Sequence, residues 1–454
     1  MFDKLKRLLA QSDADYADLR YETKHEVKIA FAGKELAQTA ISTTDGYVLR
    51  VLCGGGFSSL AFTREADAEQ ALRITLENAR LIARHRSAPV RLAAVKASRA
   101  EYLPVLDEDP RRVAFEEKIA LTRRYNDLAL GHPSIVSTSI AYGETIRNRW
   151  FISTEGNEVR EDLVTVGISG LITSRDAGLL QNVRIALGGA GGFKVLRDRD
   201  QDVEHKRGVC VDLLKAQPVA AGTYNVILNN SMSGVFCHEA FGHFSEADLI
   251  EDNPTMRQKM RIGSRLGNPV LSITDDPTLV GPLGHYRFDD EGVPAVAVPL
   301  LRQGELVGRL HSRRTAAEFG EIPNGHCVAE DYRYAPIIRM GTIYIEPGKD
   351  SVDDLFQRLG DGLYVLDAKG GQTSGENFTF GAQYGYLVKG GKAAGMVRDI
   401  NVGGNLYQTM ESITAVANDF RLSQIGGCGK EQMNIRSCHG GPHILVEQVI
   451  IGGA

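Results

Sequence analysis

Residues 237–248 read CHEAFGHFSEAD. His238, Glu239 and His243 stand close together, with Cys237 before them and Glu246 and Asp248 after. The order resembles the metal-binding signature H-E-x-x-H, in which residues i and i+4 share one face of a helix. Here the histidines are five apart. At 3.6 residues per turn, five residues rotate an α-helix by about 500°, which leaves the two imidazoles about 140° apart. A π-bulge would reduce that angle to roughly 50°. A break at Gly242 would also serve, since glycine is a poor helix former that takes unusual dihedrals easily. On spacing alone two readings stand open. One is a metal site on a helix distorted near Phe241-Gly242; the other is a solvated polar face.

A strand, TYNVILN, precedes the stretch at 223–229, and Pro218 and Gly222 mark a boundary before it. Beyond residue 270 the pattern is almost all strand and turn, with one further helix expected around 406–418. Upstream, residues 2–11 read as a helix and 16–63 as a β-meander. The run READAEQALRITLENARLIARH, at 64–85, has helical spacing of Ala, Leu and Ile. Pro89, Pro104 and Pro110 mark a linker over 87–110. Helices are expected at 111–129 and near 200–216, with strands between them and a loop at 188–193, GGAGGF. The fold class is α+β: an N-terminal α/β sandwich-like region, then a large antiparallel β domain carrying the motif helix. The expected domains are 1–90, 91–218 and 219–454.

The chain has 454 residues, 43% hydrophobic and 24% charged, as in ordinary globular proteins. A net charge of −5 argues against a nucleic-acid binder that works through a broad basic surface. The N-terminal helix is too broken by charge for a signal peptide, and no apolar run approaches the roughly 20 residues that span a bilayer. A cytoplasmic protein with no membrane partner is expected. Six cysteines in such a chain are not a disulfide framework.

Zinc takes His nitrogen and Cys sulfur in near-tetrahedral sets, and a catalytic site keeps one position open for water beside a base. A third protein ligand is therefore required. Cys327 beside His326, Cys428, Cys438 beside His439, and His443 are all candidates. GGAGGF and CGGGFSS lack the Gly-Lys-Ser/Thr ending of a phosphate loop, and no G-x-S-x-G supports a serine hydrolase. Asp289, Asp290 and Glu291 could line a site or bind metal, though such runs are more often polar turns. His285 and Tyr286 before them could stabilise an oxyanion, and Arg339-Met340 is compatible with core packing.

The helix NNSMSGVFCHEAFGHFSEAD resembles that of the TldD/PmbA family, in its metal-bearing TldD type. GYVLRVLCGGGFSSLAFT resembles the family's first domain, and FDDEGVPAVAVPLLRQGEL, RMGTIYIEPG, SGENFTFGAQYGYLVKGGK and GGCGK resemble blocks of its C-terminal domain. The resemblance implies a zinc peptidase of peptides or unfolded proteins. It implies His238, His243 and Cys428 as ligands of Zn²⁺ and Glu239 as general base. The tail CGKEQMNIRSCHGGPHI departs from the family's bacterial pattern and leaves Cys438 as a competing ligand. The resemblance further implies a heterodimer with a homologue lacking the motif, around an enclosed cavity, with a homodimer as alternative. A non-catalytic scaffold (an old label ties the family to DNA gyrase) and a zinc hydrolase of a non-peptide amide are the competing functions.

Overall fold

The structure is a computed structural model that describes residues 2–453. Its first half is built on β1 (Tyr16–Ala32), β2 (Glu35–Cys53), β3 (Gly56–Phe62), β4 (Arg99–Tyr102), β5 (Ile135–Ser153), β6 (Glu158–Asp176) and β7 (Leu179–Gly189). They form one seven-stranded sheet in the order β3-β2-β1-β5-β6-β4, with β7 on β6. The β1–β5 ladder, with Leu19 opposite Ile152, joins strands from the 1–90 and 91–218 segments into that sheet. Within the expected linker, β4 pairs with β6.

Helices cover the sheet. α1 (Phe2–Ala10) and α2 (Ala68–His85) set Leu5, Leu9, Leu72 and Leu76 against Leu19, Leu49 and Val51. α3 (Phe115–Leu130) and α4 (Asp200–Asp212) set Tyr125, Ala129, Val203 and Cys210 against Ile140, Ile168, Val183 and Ile185. Apolar residues at i and i+2 of each strand supply the matching face.

In the second half, strand Gly222–Leu228 lies between Gly362–Ser374, parallel to it, and Ile444–Gly452, antiparallel. They belong to an eight-stranded sheet. A six-stranded sheet includes Thr342–Ile345 and, parallel to it, Cys438–Gly441. Most pairings in this half are antiparallel, and the motif helix packs in the core through Met232, Phe236 and Phe241, beside Phe378 and Ile343. The helix expected at 406–418 ends at Glu411, because Ile413–Val416 pairs as a strand with Ile444–Val446. Its β-branched Ile413, Thr414 and Val416 suit that role. The helices Arg313–Phe319 and Val352–Leu359 were not expected. Each opens on a serine capping box, at Ser312 and Ser351, and stops at a glycine. Both are shorter than the window in which helical periodicity can be read.

The acidic run at 289–291 forms a polar turn, with the Gly292 N–H donating to the Asp289 carbonyl at 3.2 Å, but not an exposed one. It is buried at the junction of the two halves. Asp290 accepts from Arg149 at 2.8 Å and from the Ala329 N–H at 2.7 Å, and lies 3.3 Å from Arg20 and 3.7 Å from Arg147. Glu291 accepts from Arg50 at 2.9 Å and from the Arg313 N–H at 2.7 Å. Asp289 accepts N–H groups of Glu291, Val293 and Cys327. Burial alone would raise the Asp290 carboxyl, but Arg20, Arg149 and Arg147 hold it below the usual carboxylate range. On the sheet side, Glu22, Arg149 and Glu161 stand opposite one another across β1, β5 and β6.

Removing one partner of such a buried network leaves uncompensated charge, which destabilises by about 3–5 kcal/mol. Asp290→Ala should therefore lower the melting temperature sharply. Glu77→Ala, which breaks an exposed 3.3 Å helix pair with Arg73, should leave it nearly unchanged. Equal melting temperatures for the two variants would refute the junction's role.

Candidate metal centre

The motif helix begins as α5 (Asn230–Val235), capped by the Asn229 side chain accepting from the Met232 N–H at 3.1 Å. It then widens into a π turn over Phe236–Phe241, where the Gly242 N–H reaches back five residues to Cys237 O. A 3₁₀ turn over Gly242–Ser245 follows. The extra residue of the motif is absorbed in the wide turn, and the His238 and His243 ring centroids come to 5.4 Å. The core fixes the place. Phe236 and Phe241 are buried, and a Cβ on Gly242 would lie 2.1 Å from Met340 Sδ and 3.0 Å from Ile343 Cδ1.

Donor atoms of His238, His243 and Cys428 lie within 4.8 Å of one another. Cys428 arrives on strand Cys428–Lys430, paired with Gln432–Ile435, and its Sγ is 3.4 Å from His243 Nε2. Glu239 Oε2 is 3.8 Å from the same nitrogen. Thr373 Oγ1 donates to the Glu239 carbonyl at 2.8 Å and ties the turn to strand Gly362–Ser374.

Burial raises the Glu239 carboxyl above its ordinary value. His238 is driven well below its ordinary value, by burial first and then by His439, His243 and Arg339. It is a neutral ring whose buried Nδ1 has no hydrogen-bond partner. For His243, burial opposes the charged form, but hydrogen bonds to Cys428 and Glu246 outweigh it and push the ring up to about 10. The surroundings thus favour positive charge at His243 and disfavour it at His238, and at each ring a proton and a metal ion compete for the same electron pairs. Two imidazoles and a thiol suit zinc.

Glu246, Lys430 and Arg339 complete the surroundings, and sequence reading gave none of them this role. Glu246, fully buried, lies 3.3 Å from His243 Nδ1, 2.9 Å from Lys430 Nζ and 3.5 Å from Arg339 Nε. Donation from Nδ1 leaves Nε2 to face Cys428, as a ligand tautomer requires. Lys430 also contacts Asp248 at 2.9 Å, so the hairpin bearing Cys428 is clamped to the motif helix. The available signal was that Glu246 lies one helical turn beyond His243.

The other candidates lie elsewhere. Cys438 Sγ donates to the Ser423 carbonyl at 3.2 Å. Cys327 is buried, and its N–H goes to Asp289. His326 Nε2 is 3.0 Å from Asp275, and His443 is bound between Asp419 and Tyr364. His285 is held by the Pro277 carbonyl and the Tyr102 hydroxyl. Cys237 is in the core. The neighbour of Cys438 does reach the site: His439 lies 5.5 Å, centroid to centroid, from His238. A cleft of about 740 Å³ opens between β5–β6 and the segment before Cys428, lined in part by Gly167, Gly170, Arg184, Gly426, Gly427 and Arg436.

Three family models match the chain in order. They are described as PmbA/TldA metallopeptidase domain 1 (residues 17–83), central domain (108–216) and C-terminal domain (221–453). A Synechocystis protein named as a metalloprotease is 34% identical, covering 98% of this chain and 96% of its own. A zinc metalloprotease TldD homolog of Saccharolobus solfataricus is 29% identical over 100% of both chains. Among solved structures, TldE from Thermococcus kodakarensis has a TM-score of 0.79 at 15% identity, covering 100% of both chains. A Thermotoga maritima protein, described as a candidate modulator of a DNA gyrase, has a TM-score of 0.81 at 19% identity with the same coverage. No helix among the described residues is long and apolar enough to cross a membrane. Full-length likeness in sequence and the family models together place this chain in the TldD/PmbA metallopeptidase family.

Proposed function

We propose that this chain is a zinc-dependent peptidase that hydrolyses peptides or unfolded proteins, with His238, His243 and Cys428 holding the ion and Glu239 as general base. One observation carries the proposal: the three donors converge within 4.8 Å and the Glu239 carboxylate stands 3.8 Å from one of them. Bound there, zinc would supply Lewis acidity, which acidifies water and polarises a carbonyl. Glu239 takes the proton of the attacking water and returns it to the leaving amine. Glu246 holds the His243 tautomer, and Lys430 holds Glu246 and the Cys428 hairpin in place.

The extended substrate is proposed to lie in the cleft beside Gly426-Gly427, the two residues before Cys428. We further propose that the chain pairs with a homologous chain that lacks the motif, or with a second copy.

Zinc stoichiometry and cleavage of internally quenched peptides test this directly. Glu239→Gln should keep zinc and lose about 10²–10⁴-fold in kcat. Cys428→Ser should lose zinc while Cys438→Ser keeps it; the reverse pattern would overturn the ligand assignment. Glu246→Gln should weaken zinc binding by about 10–100-fold in a chelator competition. A zinc-loaded wild type that retains no metal would leave the chain a scaffold.

A further inference from the structure

Building on the peptidase assignment above, we infer that His439 is a catalytic residue of this site, a hydrogen-bond donor to the scissile carbonyl oxygen as that oxygen gains charge. Its ring lies against His238, with centroids 5.5 Å apart and planes tilted by 66°. It is not among the donors that converge within 4.8 Å, so it stands beside the ligand set. The motif helix makes room for it. Gly234 is one turn before His238 on the same helix face, and a Cβ there would lie 2.8 Å from Gly440 Cα and 2.9 Å from both Gly440 N and His439 Cδ2.

The backbone around His439 is rigid. Strand Cys438–Gly441 runs parallel to Thr342–Ile345 and antiparallel to Arg421–Leu422. The His439 N–H is taken by Ser423 Oγ at 3.3 Å and its carbonyl accepts from the Ser423 N–H at 2.8 Å. Its imidazole makes no hydrogen bond among the described residues, yet it is only partly exposed. A polar group held rigidly in a site without a protein partner is free for a ligand.

In the step, the water oxygen bonds to the carbonyl carbon, the water proton goes to Glu239, and the carbonyl π pair moves to oxygen. His439 N–H donates to that oxygen without giving up its proton. When the carbonyl re-forms, the C–N bond breaks and the amine takes its proton from Glu239. Preorganised donors aimed at developing charge are worth about 10²–10³ in kcat.

The zinc-loaded full chain and its His439→Ala and His439→Phe variants would be compared on internally quenched peptides, with zinc stoichiometry and the visible spectrum of the cobalt-substituted protein. The expected result is a kcat lower by about 10²–10³-fold, KM within a few-fold, and unchanged metal content and cobalt spectrum. Unchanged kcat in both variants would sink the inference. So would lost zinc or an altered cobalt spectrum in a variant that keeps its melting temperature, since His439 would then be a ligand. Should His439→Ala not fold, His439→Phe, which fills the space against Gly234, carries the test. A wild type without zinc or peptidase activity would instead bring down the peptidase assignment itself.

Discussion

Five residues separate His238 from His243, and a regular α-helix cannot aim both rings at one point across that interval. The π turn over Phe236–Phe241 resolves the conflict, and the remaining geometry of the site follows from it. A wide turn is less favourable than an α-helical one and needs support from packing. That support is the C-terminal core. Phe236 meets Phe378 edge-on at 5.5 Å, Phe241 is buried, and Met340 and Ile343 press on the bare backbone of Gly242.

The third donor comes 185 residues later, so its position depends on contacts that no local rule supplies. Glu246 links the two segments. It orients His243 from one side and takes Lys430 from the other, and Lys430 lies two residues beyond Cys428. One buried carboxylate therefore fixes both a histidine tautomer and the hairpin that bears the thiol. The two tasks are physically compatible because a carboxylate offers two oxygens, each able to accept more than one donor.

Charge also joins the halves of the molecule, by burial rather than exposure. Arg20 and Glu22 on β1, Arg147 and Arg149 on β5, and Glu161 on β6 make a polar stripe on one sheet face. Asp290 closes over it from the second half. Buried ion networks are weak evidence for net stability, but breaking one member is costly, so this one constrains how the halves fit. The cleft lies along the same sheet, with Arg147 lining both the network and the cleft wall.

Much of this was legible in the sequence. Long alternating segments give the meander and β5–β6, helical spacing gives α2 and α3, and the motif spacing by itself demands a bulge or break near Gly242. Short helices at Arg313–Phe319 and Val352–Leu359 escaped because their signal is a cap rather than a period. The alternating arginines and glutamates of β1 and β5 look like a solvent face, since local pattern records polarity and not what later covers it. The choice between Cys428 and Cys438 was likewise open, because both lie in the same glycine-containing tail and nothing in the spacing separates them. Sequence by itself determined which chemistry the chain carries: two imidazoles, a carboxylate between them and a supply of thiols. Tertiary structure decided which thiol meets them and which polar residues lie buried, because such contacts join segments hundreds of residues apart and are set by packing, not by neighbours in the chain.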